Sequence, residues 1–253
     1  MQATDPALIS LACLAACFAL LAVLELRHGA SGPTSDGPRI ATNFGIGILS
    51  MGLTLVLPIG TVAAAVFAGS RGLGLGRLVP MPWPAMLVLL LLARSLANYG
   101  LHRLSHAWPP LWRLHRVHHA DRAVDLSTAL RNHPLELVPT LALAAVVIVL
   151  LAPPVPVVIA ADAILFAATL WQHADIAAPA WLDCIVATPA LHRLHHSTRR
   201  AAHDRNYGDF LILWDRLFGS YAAPADPGEF GLDQHRAEAD HLLPQLASPF
   251  RRH

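Results

Sequence analysis

Eight histidines fall into three short clusters whose spacing is suited to binding metal ions. One cluster is H-x3-H and the other two are H-x2-H-H. Residues three and four positions apart share one face of an α-helix, so each cluster points its imidazole rings in one direction. Imidazole is a ligand for zinc, copper, iron and nickel, and eight rings exceed the four ligands of one tetrahedral ion. The clusters are His102 and His106; His115, His118 and His119; and His192, His195 and His196. Their number predicts a centre with two metal ions.

The two H-x2-H-H clusters belong to a short internal repeat. Residues 114–119 read L-H-R-V-H-H, and residues 191–196 read L-H-R-L-H-H. We interpret the two blocks as similar half-sites, one for each metal ion. Pro109-Pro110 and Thr188-Pro189 stand before the blocks and predict two helix starts, because proline suits the first helical position and threonine caps a helix.

Seven further histidines lie outside the clusters. His173 follows an apolar segment, where an ionisable side chain is a functional candidate, and we expect it to bind metal. His133, within R-N-H-P, is either a ligand or the cap of the following helix. The other five are isolated, and we expect them to be solvated: His28, His203, His235, His241 and His253.

The composition is that of a membrane protein. Apolar residues make up 55% of the 253 residues and charged residues 14%, whereas a soluble domain carries about 25% charged residues. The mean hydropathy is +0.47. The sequence predicts membrane helices within residues 7–24, 40–70, 83–106 and 137–172. Consecutive prolines at 153 and 154 interrupt the last segment and predict a hairpin of two helices, near 136–151 and 157–172.

The predicted hairpin returns His133 and His173 to the side of the membrane that carries the clusters. Five arginines between residues 102 and 131 and four between 193 and 205 predict that this side is cytoplasmic. All 18 cationic residues are arginine, which is typical of a GC-rich bacterial genome and indicates a bacterial inner membrane. We therefore predict an all-α integral membrane bundle with about four transmembrane helices or hairpin arms. A cytoplasmic helical cap would carry the two-metal site.

Metal ions held only by imidazoles keep their full charge, which carboxylates bonded to the second ring nitrogen can balance. The carboxylates near the clusters are Asp121, Asp125, Glu136, Asp175 and Asp204. The sequence does not pair them with particular histidines, and salt bridges to the many arginines are the alternative role.

The ordered motifs of residues 95–221 resemble those of the fatty acid hydroxylase/sterol desaturase superfamily, which are membrane-bound di-iron oxygenases with histidine motifs. After the first two clusters they read R-N-H-P, W-Q-H-A-D, T-P-A-L-H-R-L-H-H-S, D-R-N-Y-G and W-D-R-L-F-G. The resemblance implies that all eight clustered histidines and His173 bind metal, with His133 as the tenth ligand. It also implies that the Asn206 and Trp214 motifs pack the cap and that Asn206 orients a ligand histidine. Asp121, Asp175 and Asp204 are the carboxylates we expect beside the ligands.

The resemblance further implies an enzyme that uses O2 and two electrons to hydroxylate or desaturate an unactivated C–H bond. The cofactors would be two iron ions, with zinc as the substitute. The sequence has no H-P-G-G haem motif of a fused cytochrome b5, so we expect a separate ferredoxin, reductase or cytochrome as electron donor. The substrate would be a membrane lipid, whether a fatty acyl chain, a sterol or hopanoid, a carotenoid or an ether lipid. We expect no nucleic acid partner.

The domain organisation predicted on this basis has three parts. Residues 1–82 form N-terminal membrane helices, 83–221 the catalytic domain and 222–253 a cytoplasmic tail. The alternative function is a membrane metal-binding or transport protein without oxygenase activity. A transporter places polar ligands near the bilayer midplane, whereas the apolar runs 7–24, 40–70, 83–93 and 137–161 contain no histidine. A bis-histidine haem protein meets the same objection, and the absence of H-E-x-x-H argues against a zinc protease.

Overall fold

A computed structural model describes residues 6–29, 36–57 and 60–251. Within these residues the chain is helical, with two isolated bridges and no β-strand. The helices are α1 (Pro6–His28), α2 (Gly37–Val56), α3 (Thr61–Arg71), α4 (Leu75–Leu78), α5 (Trp83–Ala107), α6 (Pro109–His119), α7 (Leu137–Leu151), α8 (Val155–His173), α9 (Pro189–His195), α10 (Arg200–His203), α11 (Leu213–Leu217) and α12 (Leu242–Ala247).

Helices α3, α5, α7 and α8 pack around one apolar core. Leu90 of α5, Ile148 of α7 and Val158 of α8 are fully buried there. Helix α3 contributes Ala64 and Ala65, and these small side chains let its backbone approach the other helices closely. The core therefore holds α5, α7 and α8 as a rigid unit.

Three helical segments are long and apolar enough to cross a membrane: Trp83–Ala107, Pro134–Leu151 and Val155–His173. Trp83 and Trp108 are exposed at the two ends of α5, where a membrane helix carries its interfacial aromatic residues. Val88 and Leu150 are large apolar side chains that also face outward. The protein is a helical membrane protein. Three candidate spans lie among the described residues, and the expected four crossings stay a prediction.

The predicted hairpin is confirmed by α7 and α8. Helix α7 ends at Leu151 and α8 begins at Val155, with Ala152 in the left-handed region at φ 49°. Gly74 packs against this turn so closely that a Cβ atom on it would lie 2.6 Å from the Ala152 Cβ atom. The turn lies at one end of the bundle, and the start of α7 and the end of α8 lie together at the other.

The predicted helix starts are also confirmed. Pro109 occupies the first turn of α6, directly after Trp108 ends α5. The Thr188 hydroxyl accepts a hydrogen bond from the Leu191 backbone N–H and caps α9. The apolar segment 40–70 forms two helices, α2 and α3. The sequence also predicts a kink at Pro58, and that position lies outside the described residues.

A buried polar network attaches α2 to the loop that follows α6. The Arg39 guanidinium forms a salt bridge with Asp121, at 3.1 Å, and with Asp125. Asn43 donates a hydrogen bond to Asp121 at 2.8 Å and accepts one from Arg131 at 2.8 Å. Because buried charges require partners, this network fixes the chain directly after the first H-x2-H-H block.

Candidate metal centre

Nine of the ten predicted ligand histidines converge at the end of the bundle where α5 and α8 end. They form two groups, and within each group the potential ligand atoms lie within 4.8 Å of one another. The first group is His102, His106, His115, His119 and His195. The second group is His118, His173, His192 and His196. We name them the five-histidine group and the four-histidine group.

The two groups adjoin each other and form one pocket. The ring centroids of His119 and His196 are 4.5 Å apart, and those of His195 and His192 are 5.3 Å apart. Seven of the nine histidines are buried, and His102 and His106 are partly buried. Contact between the groups is what a centre with two neighbouring metal ions requires.

Helix ends bring the histidines to this pocket. The histidines of α5, α6 and α8 lie in the last two turns of their helices, where partial negative charge of the helix dipole favours a cation. Only Trp108 separates α5 from α6, and α9 packs against the end of α8. The short connections therefore place four helix ends around one volume.

The interpretation of one H-x2-H-H block per metal ion is wrong. His115 and His119 of the first block belong to the five-histidine group, whereas His118 belongs to the four-histidine group. In the second block the division is reversed: only His195 joins the five-histidine group. Helix geometry explains the division, because residues four apart differ by about 40° around the axis and adjacent residues by about 100°. Each block therefore contributes to both groups.

Backbone carbonyls fix the tautomer of three of the histidines. A carbonyl oxygen only accepts, so the Nδ1 atom that it contacts carries the hydrogen and Nε2 keeps its lone pair. Such an outer partner holds a ligand ring in the orientation that the metal needs. The pairs are His102 with Tyr207, His173 with Thr169, and His195 with Arg205, each at 2.7 Å.

The spacing of the ring nitrogens fits metal ligation. In the four-histidine group the Nε2 atoms of His173 and His192 are 2.9 Å apart, and those of His173 and His118 are 3.1 Å apart. Two nitrogen ligands about 2.1 Å from one ion and at about a right angle are about 3.0 Å apart. The buried Nε2 atoms of His102 and His195 have no hydrogen-bond partner within the described chain. The residues present therefore fit a bound metal.

Burial keeps the clustered imidazoles neutral, which is the form that binds metal. Loss of water, followed by the charge that neighbouring imidazoles would carry, lowers the pKa well below the ordinary value for histidine. This lowering of the pKa applies to His118, His119, His192, His195 and His196.

Two carboxylates contact the five-histidine group. Glu136 Oε1 lies 2.7 Å from the Nδ1 atom of His115, and Asp204 Oδ1 lies 3.4 Å from the Nδ1 atom of His106. Asp204 thus lies beside a predicted ligand, as expected from the sequence. Glu136 is the closer partner and the more deeply buried, with 16% of its side chain exposed against 48% for Asp204.

The other carboxylates serve arginines. Asp121 and Asp125 pair with Arg39, and Asp175 pairs with Arg193 at 2.8 Å. A role for Asp121 or Asp175 beside a ligand histidine stays a prediction. These salt bridges join residues that are distant in sequence. The closeness of the carboxylates to the histidine clusters along the chain therefore did not predict them.

Asn206 acts on the site through the backbone. It lies in the left-handed region at φ 54°, which asparagine tolerates better than most residues. Its side chain donates to the Leu191 carbonyl at 3.2 Å and accepts from the Ala222 N–H at 2.9 Å. This packs the cap and fixes the neighbouring Arg205 carbonyl, which contacts His195; Asn206 itself contacts no ligand ring.

His133 is placed away from both groups. Its Nδ1 atom accepts from the Leu135 N–H at 3.2 Å, and its Nε2 atom lies 3.2 Å from the Leu246 carbonyl oxygen. His133 thus caps the short helical turn Pro134–Glu136, and helix capping is the alternative role that the sequence predicts for it.

His203 lies against the centre rather than in solvent, contrary to expectation. Its ring centroid is 4.6 Å from that of His119 and 4.8 Å from that of His106. With His106 and Asp204 it forms a third group of potential ligand atoms. An isolated histidine has no helical spacing that would mark it as a ligand. The only sequence signal for His203 was its position seven residues after His196.

Similarity to known proteins covers the part of the chain that carries the histidines. Residues 87–220 match the model of the fatty acid hydroxylase family. An ornithine lipid hydroxylase from Rhizobium tropici is 34% identical over 179 residues, which cover 68% of this chain and 53% of that protein. The alkylglycerol monooxygenase of Danio rerio is 30% identical over 206 residues, covering 78% of this chain and 45% of that protein. The human alkylglycerol monooxygenase is 30% identical over 161 residues, covering 62% and 35%.

The chain spans about half the length of the curated relatives it matches. No solved structure matches it. The family match covers more than half of the chain and confirms the resemblance carried by the histidine motifs. This chain therefore belongs to the fatty acid hydroxylase family.

Proposed function

We propose that the protein is a membrane-bound, O2-dependent lipid hydroxylase with a di-iron centre held by nine histidines. The observation that carries the proposal is the meeting of two buried imidazole groups at the end of three apolar helices. Membership of the fatty acid hydroxylase family supports it. Similarity to a hydroxylase and to monooxygenases favours hydroxylation over desaturation.

In this proposal the five-histidine group holds one iron ion and the four-histidine group holds the other. His133 is left out of the ligand set because both its ring nitrogens contact backbone groups. Imidazole suits iron and zinc alike, but zinc has no redox chemistry. When bound, the iron ions supply the activation of O2 that no amino-acid side chain provides.

The residues of the chain position the reactants. Carbonyl oxygens hold the rings of His102, His173 and His195 in one orientation, and the Glu136 carboxylate balances charge beside His115. Burial of the rings keeps bulk water from the centre. A cavity of about 200 Å³ between α5, α7 and α8 borders five of the histidines, which are His102, His115, His118, His173 and His192. A lipid in the bilayer reaches the centre through this cavity.

We propose a substrate with a polar head group, a cytoplasmic site in a bacterial inner membrane, and a separate electron donor. The names of the relatives, which refer to ornithine lipid and alkylglycerol, support a polar lipid. Arg113, Arg200 and Arg205 are exposed near the centre and would attract an acidic ferredoxin, reductase or cytochrome. Residues 83–221 are the catalytic domain of this proposal.

Lipid analysis of cells with and without the protein tests the proposed function. Expression of the wild type should convert one lipid species to a product with one more oxygen atom. His118→Ala should abolish that product and lower the iron content, because His118 is 3% exposed and faces His173. His241→Ala, at an exposed histidine, is the matched control and should change neither. Iron binding with no oxidised lipid would favour the metal-binding or transport alternative.

A further inference from the structure

Most of the residues that line the cavity beside the histidines have polar side chains. Besides five of the clustered histidines, its lining includes Asn98, Glu136, Thr140, Thr169, Gln172 and Asp209. Helices α5, α7 and α8 surround it, and a plain hydrocarbon chain would bind better against leucine and valine. The lining therefore indicates that a polar group enters the cavity.

Three acceptor oxygens in this lining are buried without a hydrogen-bond partner among the described residues. They are Oδ1 of Asp209, Oε2 of Glu136 and Oε1 of Gln172. Gln172 is only 3% exposed. Buried acceptors without partners destabilise a fold, so their presence together in one cavity points to a ligand that donates hydrogen bonds.

The cavity also carries carboxylates with which no arginine of the described chain forms a salt bridge. Asp209 accepts from the Asn98 amide at 2.5 Å, and Glu136 uses its other oxygen for His115. Burial raises the pKa of Asp209 to about 6, which leaves the carboxylate ionised at neutral pH. A buried carboxylate without a salt bridge favours a cationic partner.

We propose that this cavity binds an amine-bearing head group and so directs hydroxylation to a carbon near the head group of the lipid. This inference rests on the proposed function and adds the substrate class. An ammonium group has three donors and a positive charge, which match the acceptors of Asp209, Glu136 and Gln172. These acceptors and five of the histidines line the same cavity, so a head group held there keeps the adjacent carbon near the metal site.

Binding of two matched probes tests the inference without relying on activity. The protein, in phosphatidylcholine nanodiscs and with its metal content measured, is titrated with decylamine and with decanol. Wild type should bind decylamine about tenfold to hundredfold more tightly, because hydrogen bonds between charged groups are stronger than neutral ones. Asp209→Asn should lose most of this preference and keep its metal, since the introduced amide would retain an oxygen that accepts from Asn98.

Two further variants make the result decisive. Asp226→Asn, at an exposed carboxylate, is the matched control and should keep the preference for the amine. Gln172→Leu should weaken decylamine binding and serves in place of Asp209→Asn if that variant does not fold. Equal affinity for the two probes in wild type, or a preference that survives both cavity variants, would overturn the inference. If either outcome is found and the protein still binds its metal, the proposed hydroxylase function is unaffected. Wild-type protein that binds no metal would instead reject the proposed function itself.

Discussion

Replacing Glu136 by glutamine should weaken metal binding without disturbing the fold. Its carboxylate lies 2.7 Å from Nδ1 of His115 and is the nearest negative charge to the five-histidine group. Glutamine preserves the shape and a hydrogen-bond acceptor but removes the charge. Loss of such an outer partner lowers metal affinity about tenfold to hundredfold, which corresponds to about 1.4–2.8 kcal/mol.

Competition with a chelator measures this change. Metal-loaded wild type and Glu136→Gln are titrated with a chelator of known affinity, and the metal that remains bound is counted by mass spectrometry. Glu229→Gln is the control, because the Glu229 side chain is exposed and pairs with Arg236 rather than with a histidine. We expect Glu229→Gln to retain metal as wild type does. Equal metal affinity in wild type and Glu136→Gln would refute the role assigned to this carboxylate.

Three other substitutions test separate parts of the structure. Arg39→Ala should lower the free energy of unfolding by about 3–5 kcal/mol, because it leaves Asp121 and Asp125 buried without their cation. A decrease of less than about 1 kcal/mol, measured by unfolding in detergent, would contradict this. Asp209→Asn should stabilise the protein by up to about 3 kcal/mol above pH 6. The reason is that burial raises the pKa of Asp209 from 3.8 to about 6, so its ionisation destabilises the folded state. The gain should vanish below about pH 4, where the carboxyl is protonated in both states, and a gain independent of pH in thermal unfolding would disprove it. His133→Ala should keep the full metal content, because both ring nitrogens of His133 contact backbone groups. Loss of one metal ion from this variant would show that His133 is a ligand.

Helix geometry is the reason that so much of the centre could be predicted from the sequence. The spacing within each histidine cluster fixes a shared face, and the prolines at 153 and 154 fix the hairpin that returns His173 to the other ligands. Both are local properties of the chain. They required no knowledge of how the helices cross.

The remaining features depend on contacts between distant segments. Asp121 follows the first H-x2-H-H block, yet it pairs with Arg39, which lies 82 residues earlier. The position of His203 against His119 likewise depends on how α10 packs against the end of α6. The polar cavity likewise joins Gln172 of α8 with Asp209 of a loop. The spacing of residues along the sequence does not predict such long-range contacts.

The most direct test of the two-metal centre is anomalous diffraction at the iron absorption edge from crystals of the iron-loaded protein. The account predicts two peaks per chain, one inside the five-histidine group and one inside the four-histidine group. A single peak, or iron bound away from these nine imidazoles, would contradict it.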